Sequence, residues 1–240
     1  MRVRITTSVL GVTAVSALGL TAVAVLALPA CSARTSKAKP SATAATRTGK
    51  PAFASPKGAP LSSAAMTTRL LDENDLGSGY TRKPESPSQH DDVNVLGCPA
   101  LNGLGSDAAT GGPLAFPHQA KADFTYTGSS NSEVSEELYS DTAARLSAGT
   151  SRIFDAMTGC PHYQLLVGGT TIEVATQRLT APRLGDEQWS QLLTFSADGR
   201  DTVVKQTAIR DGSVLVDVSG SPALVDRHLG KALAKATAAH

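Results

Sequence analysis

Two cysteines in matching surroundings are the first residues of this chain whose types suggest chemistry. The triplet Gly-Cys-Pro occurs at 97–99 and again at 159–161. Such a pair can form a structural disulfide, a redox pair or half of a zinc site. A zinc site needs four ligands at close spacing, and only His162 lies close to either cysteine. Neither cysteine belongs to a C-x-x-C redox motif.

Acidic residues and histidines are the next candidates. The segment around 133–141 holds Glu133, Glu136, Glu137 and Asp141, and paired carboxyl groups can serve as general acid and base. Because neighbouring residues of a strand face opposite sides, Glu136 and Glu137 are not expected to share a site. The segment His90-Asp91-Asp92 could form one edge of a metal site, but its polar surroundings favour a solvated loop.

Signatures of catalysis are otherwise missing from the sequence. It contains no glycine-rich phosphate loop and no G-x-S-x-G nucleophile motif. We therefore predict a protein that is not an enzyme and has no metal site and no cofactor. An envelope hydrolase, built on the scattered histidines and acids, is the remaining catalytic hypothesis.

Aromatic side chains are candidates for binding. Trp189 is the only tryptophan, and it is either a core anchor or a ligand-facing ring at the rim of a sheet. Tyr126 and Tyr163 could line the same kind of surface, since a tyrosine combines an apolar ring with a polar tip. We predict these three as ligand-binding residues.

The N-terminal segment resembles a bacterial lipoprotein signal. Arg2 and Arg4 precede an uncharged stretch, which ends in Leu28-Pro29-Ala30-Cys31. We predict a signal peptide over 1–30, lipidation at Cys31 and a lipid anchor on the extracytoplasmic face of the cell membrane. Plain secretion and an uncleaved transmembrane anchor are the alternatives. All three place the remaining pair, Cys98 and Cys160, in an oxidising compartment, which predicts a structural disulfide between them.

Residues 31–65 form a predicted disordered tether, rich in Ala, Ser, Thr, Pro and Lys. Its basic side chains either are simply solvated or attract anionic lipid headgroups. Eight of the 22 lysines and arginines lie in residues 1–65, and all 21 acidic residues lie beyond them. Residues 66–240 therefore carry 14 basic and 21 acidic side chains, a net charge of −7. An acidic domain argues against nucleic acid as a partner.

The elements that must position these residues indicate an α+β fold over 66–240. Alternating runs at 119–140 predict a β-hairpin, and Asp198-Gly199 and Asp211-Gly212 predict two tight turns of a C-terminal meander. Helical spacing follows Asp141 up to Gly159, and a final helix begins at Ser221-Pro222. We expect an antiparallel sheet with the helices packed on one face, tied by one disulfide.

The order of these pieces resembles the PknH-like extracellular sensor domains of actinobacteria. The resemblance covers about 66–239 and rests on an ordered series of short matches: Leu70-Leu71, Asp75-Leu76, Gly79-Tyr80, Cys98, the helix leading to Cys160, Arg210-Asp211-Gly212 before a strand, and the Ala-rich last helix. It implies an α+β domain with a cleft for an external ligand. The kinase members of that family have a second disulfide, whereas this chain offers one pair.

Together these features predict a membrane-anchored extracytoplasmic lipoprotein that binds a small or lipidic ligand without catalysis. The alternative is a protein-interaction module that docks on a membrane kinase or transporter. The expected partners are therefore the membrane, through the lipid anchor, and either an unknown ligand or an envelope protein.

Overall fold

An antiparallel β-sheet dominates the computed structural model, which describes residues 58–84, 93–104, 116–128, 132–167 and 169–238. The strands within these ranges are β1 (Tyr80–Arg82), β2 (Val93–Leu96), β3 (His118–Tyr126), β4 (Ser132–Ser140), β5 (His162–Val167), β6 (Thr170–Arg178), β7 (Glu187–Ala197), β8 (Arg200–Asp211) and β9 (Val214–Gly220). Their order across the sheet is β1-β3-β4-β9-β8-β7-β6-β5-β2. Every neighbouring pair is antiparallel.

Three short and two long helices accompany the sheet in the described ranges. They are α1 (Ser63–Thr67), α2 (Glu73–Leu76), α3 (Pro99–Asn102), α4 (Ala143–Gly159) and α5 (Pro222–Ala236). Helix α5 starts as predicted, with Ser221 at the N-cap and Pro222 in the first turn. The N-cap of α4 is Thr142, directly after Asp141. Among these helices none is long and apolar enough to cross a membrane.

The two long helices lie on opposite faces of the sheet, which corrects the expectation that the helices pack on one face. Side chains of α5 pack with Leu138, Ile209 and Val216, whereas α4 packs with Tyr139 and Leu215. Consecutive residues of a strand point to opposite faces, so α4 and α5 cover different sides. Strand β9 is buried at every position, which requires cover on both faces.

The sheet is more extensive than predicted. Strands β3 and β4 form the expected hairpin, and β7, β8 and β9 form the expected meander around Gly199 and Gly212, both at positive φ. Strands β1, β2 and β5 were not predicted from the sequence. Two of these are edge strands of three and four residues, too short to show alternation.

The predicted disulfide is confirmed. Cys98 and Cys160 are bonded, with an S–S distance of 2.04 Å and a Cα–Cα distance of 5.8 Å. Cys98 precedes α3 and Cys160 follows α4, so the bridge ties the β2 edge of the sheet to the end of the long helix.

The folded part begins before the expected boundary at Met66. The backbone N–H of Leu61 donates to Ser140 Oγ over 2.8 Å, and Ser213 Oγ donates to the Ala59 carbonyl over 3.1 Å. The predicted signal peptide, Cys31 and the tether as far as residue 57 lie outside the described residues.

Candidate functional site

A cavity of about 290 Å³ opens beside α4, on the face of the sheet that this helix covers. Phe154 of α4, Trp189 of β7 and most of the segment 178–183, which runs from the last residue of β6, line it. The full lining is Phe154, Arg178, Leu179, Thr180, Ala181, Arg183, Gln188, Trp189 and Ser190. Its volume is near the lower end of the range for small-molecule sites, roughly 300–1,000 Å³.

The lining combines aromatic surface with positive charge. The rings of Phe154 and Trp189 lie 6.4 Å apart between centroids and are tilted by 38°. Arg178 donates to Asp155 Oδ1 over 2.5 Å and to Thr158 Oγ1 over 2.8 Å, so α4 orients its guanidinium group. Arg183, also a lining residue, is exposed. A flat apolar group with a negative charge matches such a lining, because guanidinium groups bind carboxylates and phosphates in a bidentate manner.

Arg210 of β8 fixes the end of the connection from β6 to β7. Its Nε donates to Glu187 Oε2 and its Nη1 donates to Asp186 Oδ2, both over 2.9 Å. Burial disfavours the charged guanidinium, but the hydrogen bonds from Arg210 to these two carboxylates outweigh that effect and raise its pKa. Gly185 precedes this pair at φ +64°, and a Cβ there would lie 2.6 Å from the Arg210 carbonyl oxygen. A glycine is therefore required where the connection from β6 to β7 passes close to β8.

A row of hydrogen-bonded polar side chains crosses five strands on the same face of the sheet. Lys121 Nζ donates to Glu137 Oε1 over 2.5 Å, and the Tyr139 hydroxyl donates to Glu137 Oε2. Glu137 is the direct cross-strand partner of Asp217. Gln206 Nε2 donates to Asp217 Oδ2 over 2.6 Å, and Gln191 Nε2 donates to Gln206 Oε1 over 2.9 Å. We call these residues, from Lys121 on β3 to Gln191 on β7, the polar row.

Because Asp217 and Lys121 of the polar row are largely buried, their neighbouring charges determine how they ionise. Asp217 is 5% exposed, and burial together with the neighbouring Glu137 raises the pKa of its carboxyl group to about 7. Lys121 keeps its proton, because the carboxylates of Glu137 and Asp123 outweigh its burial and raise its pKa.

A third buried carboxyl group, Glu136, lies on the α5 face. Its Oε2 accepts from the backbone N–H of Leu71 over 2.6 Å. The residue is 1% exposed, and burial raises the pKa of Glu136 to about 8.

The structure does not bring the three predicted aromatic residues together. Trp189 lines the cavity. Tyr126 packs on Tyr80 at 4.6 Å between ring centroids, in the core on the α5 face. Tyr163 is 3% exposed and lies in the core beside the disulfide.

The remaining candidates of the sequence analysis are dispersed. Glu136 and Glu137 point to opposite faces, as expected of strand neighbours. Among the scattered histidines, His228 is buried on α5 with its Nε2 2.6 Å from the Tyr80 hydroxyl oxygen, and burial lowers its pKa. The described ranges contain no group of three metal-ligating side chains. The segment 90–92 lies outside those ranges.

Three residues of these sites were not predicted from the sequence: Arg178, Arg183 and Asp217. Each lies in a stretch of sequence that indicates a strand or a solvated loop and gives no sign of a site. The alternation of Asp217 with Val216 and Val218 indicated a polar group on one face of β9, but not that this face would be buried.

No protein-family model and no curated protein matches the chain. Among solved structures, the extracellular domain of PknH from Mycobacterium tuberculosis is similar, with a TM-score of 0.56 and 15% sequence identity. The match covers 75% of this chain and 98% of that chain. The chain therefore has a PknH-like extracellular-domain fold.

Proposed function

We propose that this chain is an extracytoplasmic lipoprotein, anchored through Cys31, whose sensor-like domain binds a small anionic ligand beside α4 without catalysis. The observation that carries the proposal is the cavity in which Trp189 and Phe154 meet two arginines. The fold shared with an extracellular domain supports the location. The disulfide supports it independently, because such bridges persist in oxidising compartments.

The ligand would place its flat apolar part against Trp189 and its negative group between Arg178 and Arg183. Ring contacts of this kind favour aromatic or planar groups. Arg178 is already oriented by Asp155 and Thr158, so binding loses less side-chain entropy there than at a free arginine.

A pair of dyes tests the proposal directly. 1-Anilinonaphthalene-8-sulfonate carries a flat apolar body and one negative charge, and N-phenyl-1-naphthylamine has the same rings without the charge. Trp189 is the only tryptophan, so quenching of its emission reports binding at the cavity. We expect the sulfonate to quench Trp189 at lower concentration than the neutral dye does.

Two variants distinguish dye binding at the cavity from binding elsewhere on the surface. Arg183→Gln should weaken sulfonate binding at least threefold and leave the neutral dye unaffected. Arg200→Gln, at an exposed arginine that does not line the cavity, is the matched control. Equal binding of the two dyes, or equal effects of the two variants, would contradict an anion site at this cavity.

The docking alternative predicts a contiguous exposed apolar patch. The exposed large hydrophobic residues of the described ranges are Leu96 and Val203. Leu96 lies on the edge strand β2 and Val203 on β8, with three strands between them. These two residues do not form a contiguous patch, so we propose ligand binding at the cavity in preference to docking.

A further inference from the structure

An acidic side chain, Asp155, shares Arg178 with the ligand proposed for the cavity. Its Oδ1 accepts from Arg178 Nη2 over 2.5 Å. Asp155 follows Phe154 on α4, and Phe154 and Arg178 both line the cavity. The side chain of Asp155 is 64% exposed and that of Arg178 is 59% exposed, so both groups of this ion pair are open to a ligand from solvent.

The position of Asp155 relative to the cavity is fixed by α4. Thr158 lies three residues further along the helix, on the same side, and its Oγ1 accepts from the same Arg178 nitrogen over 2.8 Å. The Thr158 hydroxyl in turn donates to the carbonyl oxygen of Phe154 over 2.6 Å. The guanidinium group and its two acceptors therefore form one arrangement, anchored at a residue of the cavity lining.

A ligand carboxylate at Arg178 would meet the carboxylate of Asp155. Each of the two would lie within hydrogen-bond distance, about 3 Å, of the same guanidinium group. Two like charges so close together repel each other. A ligand that carries a hydrogen-bond donor next to its carboxylate relieves this repulsion, because Asp155 can accept from that donor while the carboxylate binds the guanidinium.

The charges at the cavity decide which kind of donor fits. Arg178 and Arg183 line it, and Asp155 is the bonded neighbour of Arg178, so two arginines and one aspartate give a net charge of +1. A ligand with one carboxylate and a neutral hydroxyl group balances this charge. An ammonium group would leave the charge unbalanced and would place a third cation beside two guanidinium groups.

We propose that the ligand of the cavity is a small α-hydroxy acid with an aromatic side chain. Its carboxylate binds Arg178 and Arg183, its hydroxyl group donates to Asp155, and its ring contacts Trp189. This inference rests on the anion site of the proposed function and specifies the ligand class of that site. Asp155 is then a residue that determines specificity, since a site that binds a ligand hydroxyl discriminates against the analogue without it.

Three probes with one skeleton test the proposal on the full chain with its disulfide intact. 3-Phenyllactate, 3-phenylpropanoate and phenylalanine carry a hydroxyl group, a hydrogen atom and an ammonium group, respectively, on the carbon next to the carboxylate. None of them contains an indole ring, so the emission of Trp189, the only tryptophan, reports their binding. We expect phenyllactate to bind about threefold more tightly than either analogue, a modest gain because the hydrogen bond lies near solvent.

The same titration with the naphthalene sulfonate separates this inference from the proposed function. If the sulfonate binds and phenyllactate binds no more tightly than phenylpropanoate, the cavity is an anion site without a preference for the hydroxyl group, and the inference is wrong. Tightest binding of phenylalanine would identify a site for a zwitterion and would also overturn it. If the sulfonate and all three acids fail to bind, the proposed function itself fails.

Two variants assign the preference to Asp155. Asp155→Asn keeps an oxygen that can accept from Arg178 but removes the negative charge, so phenyllactate and phenylpropanoate should bind this variant equally. The site is exposed, so the variant should fold. Asp226→Asn is the matched control, because Asp226 is a 61% exposed aspartate on α5 that pairs with Lys205 over 2.5 Å, and it should keep the threefold preference. A preference that survives in Asp155→Asn would contradict the assignment.

Discussion

Glu136 makes the stability of this domain depend on pH. Its carboxyl group is buried on the α5 face, and burial raises its pKa from 4.5 to about 8. Because the pKa is higher in the folded chain than in the unfolded chain, folding takes up a proton. The stability due to this proton is fully present below pH 4.5 and is lost as the pH rises through 8. The difference is on the order of 5 kcal/mol.

Glu136→Gln should therefore stabilise the protein at neutral and alkaline pH. A glutamine oxygen can still accept from Leu71 N–H, and no proton is needed to keep the side chain neutral. We expect a higher free energy of unfolding than the wild type at pH 8 and a similar value at pH 5, measured by urea denaturation. Glu173→Gln, at an exposed position of β6, should change neither value. A variant that loses stability equally at both pH values would contradict the assignment.

Only part of the candidate site could be predicted at the residue scale. Trp189 was identified because a single tryptophan near a loop is conspicuous. Arg178 and Arg183 were missed, because an exposed arginine in a sequence has the same appearance whether it lines a cavity or faces solvent. Tyr126 and Tyr163 resembled binding residues for the same reason that they pack well in cores: each has a large apolar ring.

At the scale of elements, the connection from β6 to β7 shapes the cavity, and Arg210 fixes that connection. The guanidinium reaches Asp186, Glu187 and the Gly212 carbonyl oxygen from one buried position. Lysine cannot form this planar arrangement of bonds. The two carboxylates are 54% and 38% exposed, so solvent screens part of the attraction.

Arg210→Lys should cost about 1–2 kcal/mol of stability after this screening. It should also loosen the end of the connection from β6 to β7, so that Trp189 emission shifts and sulfonate binding weakens. Urea denaturation and the fluorescence titration measure the two effects. Arg200→Lys is the matched control on the same strand. Unchanged emission and binding in Arg210→Lys would show that the cavity does not depend on this side chain.

Gly185→Ala tests the same connection through the backbone. A Cβ at this position would approach the Arg210 carbonyl oxygen to 2.6 Å, at a φ of +64°. We expect a loss of stability of about 1–3 kcal/mol, measured by thermal or urea unfolding. Gly199→Ala also has positive φ, but its Cβ would meet nothing within 4 Å, so it should cost less. An equal cost for both variants would argue against the close contact.

The elements themselves were predictable where local chemistry determines them. The Asp-Gly pairs at 198–199 and 211–212 identified the meander, and Ser221-Pro222 identified the start of α5. The faces covered by the helices were not predictable in this way. Strand β9 is apolar or small at most positions, which is compatible with one covered face or with two, and only the packing of α4 and α5 decides.

At the scale of the whole molecule, one disulfide links distant parts of the fold. It joins residues 62 positions apart and connects α3, at the edge of the sheet, with the end of α4. Closing a loop of this length stabilises the folded state by about 4 kcal/mol in the chain-entropy model.

Replacing both Cys98 and Cys160 with alanine should lower the free energy of unfolding by about 2–5 kcal/mol. Urea denaturation of the oxidised wild type and the double variant measures the loss. Reduction of the wild type with dithiothreitol should reproduce most of it. A double variant as stable as the oxidised wild type would show that the bridge does not contribute to stability.

The central claim is that a small anion occupies the cavity beside α4. Native mass spectrometry of the full chain, purified from its host envelope with the disulfide intact, tests it most directly. The account predicts a retained anionic molecule on the wild type, and its loss from a variant with Arg183→Gln and Trp189→Leu. A bare mass for the wild type, or the same bound molecule on both proteins, would contradict it.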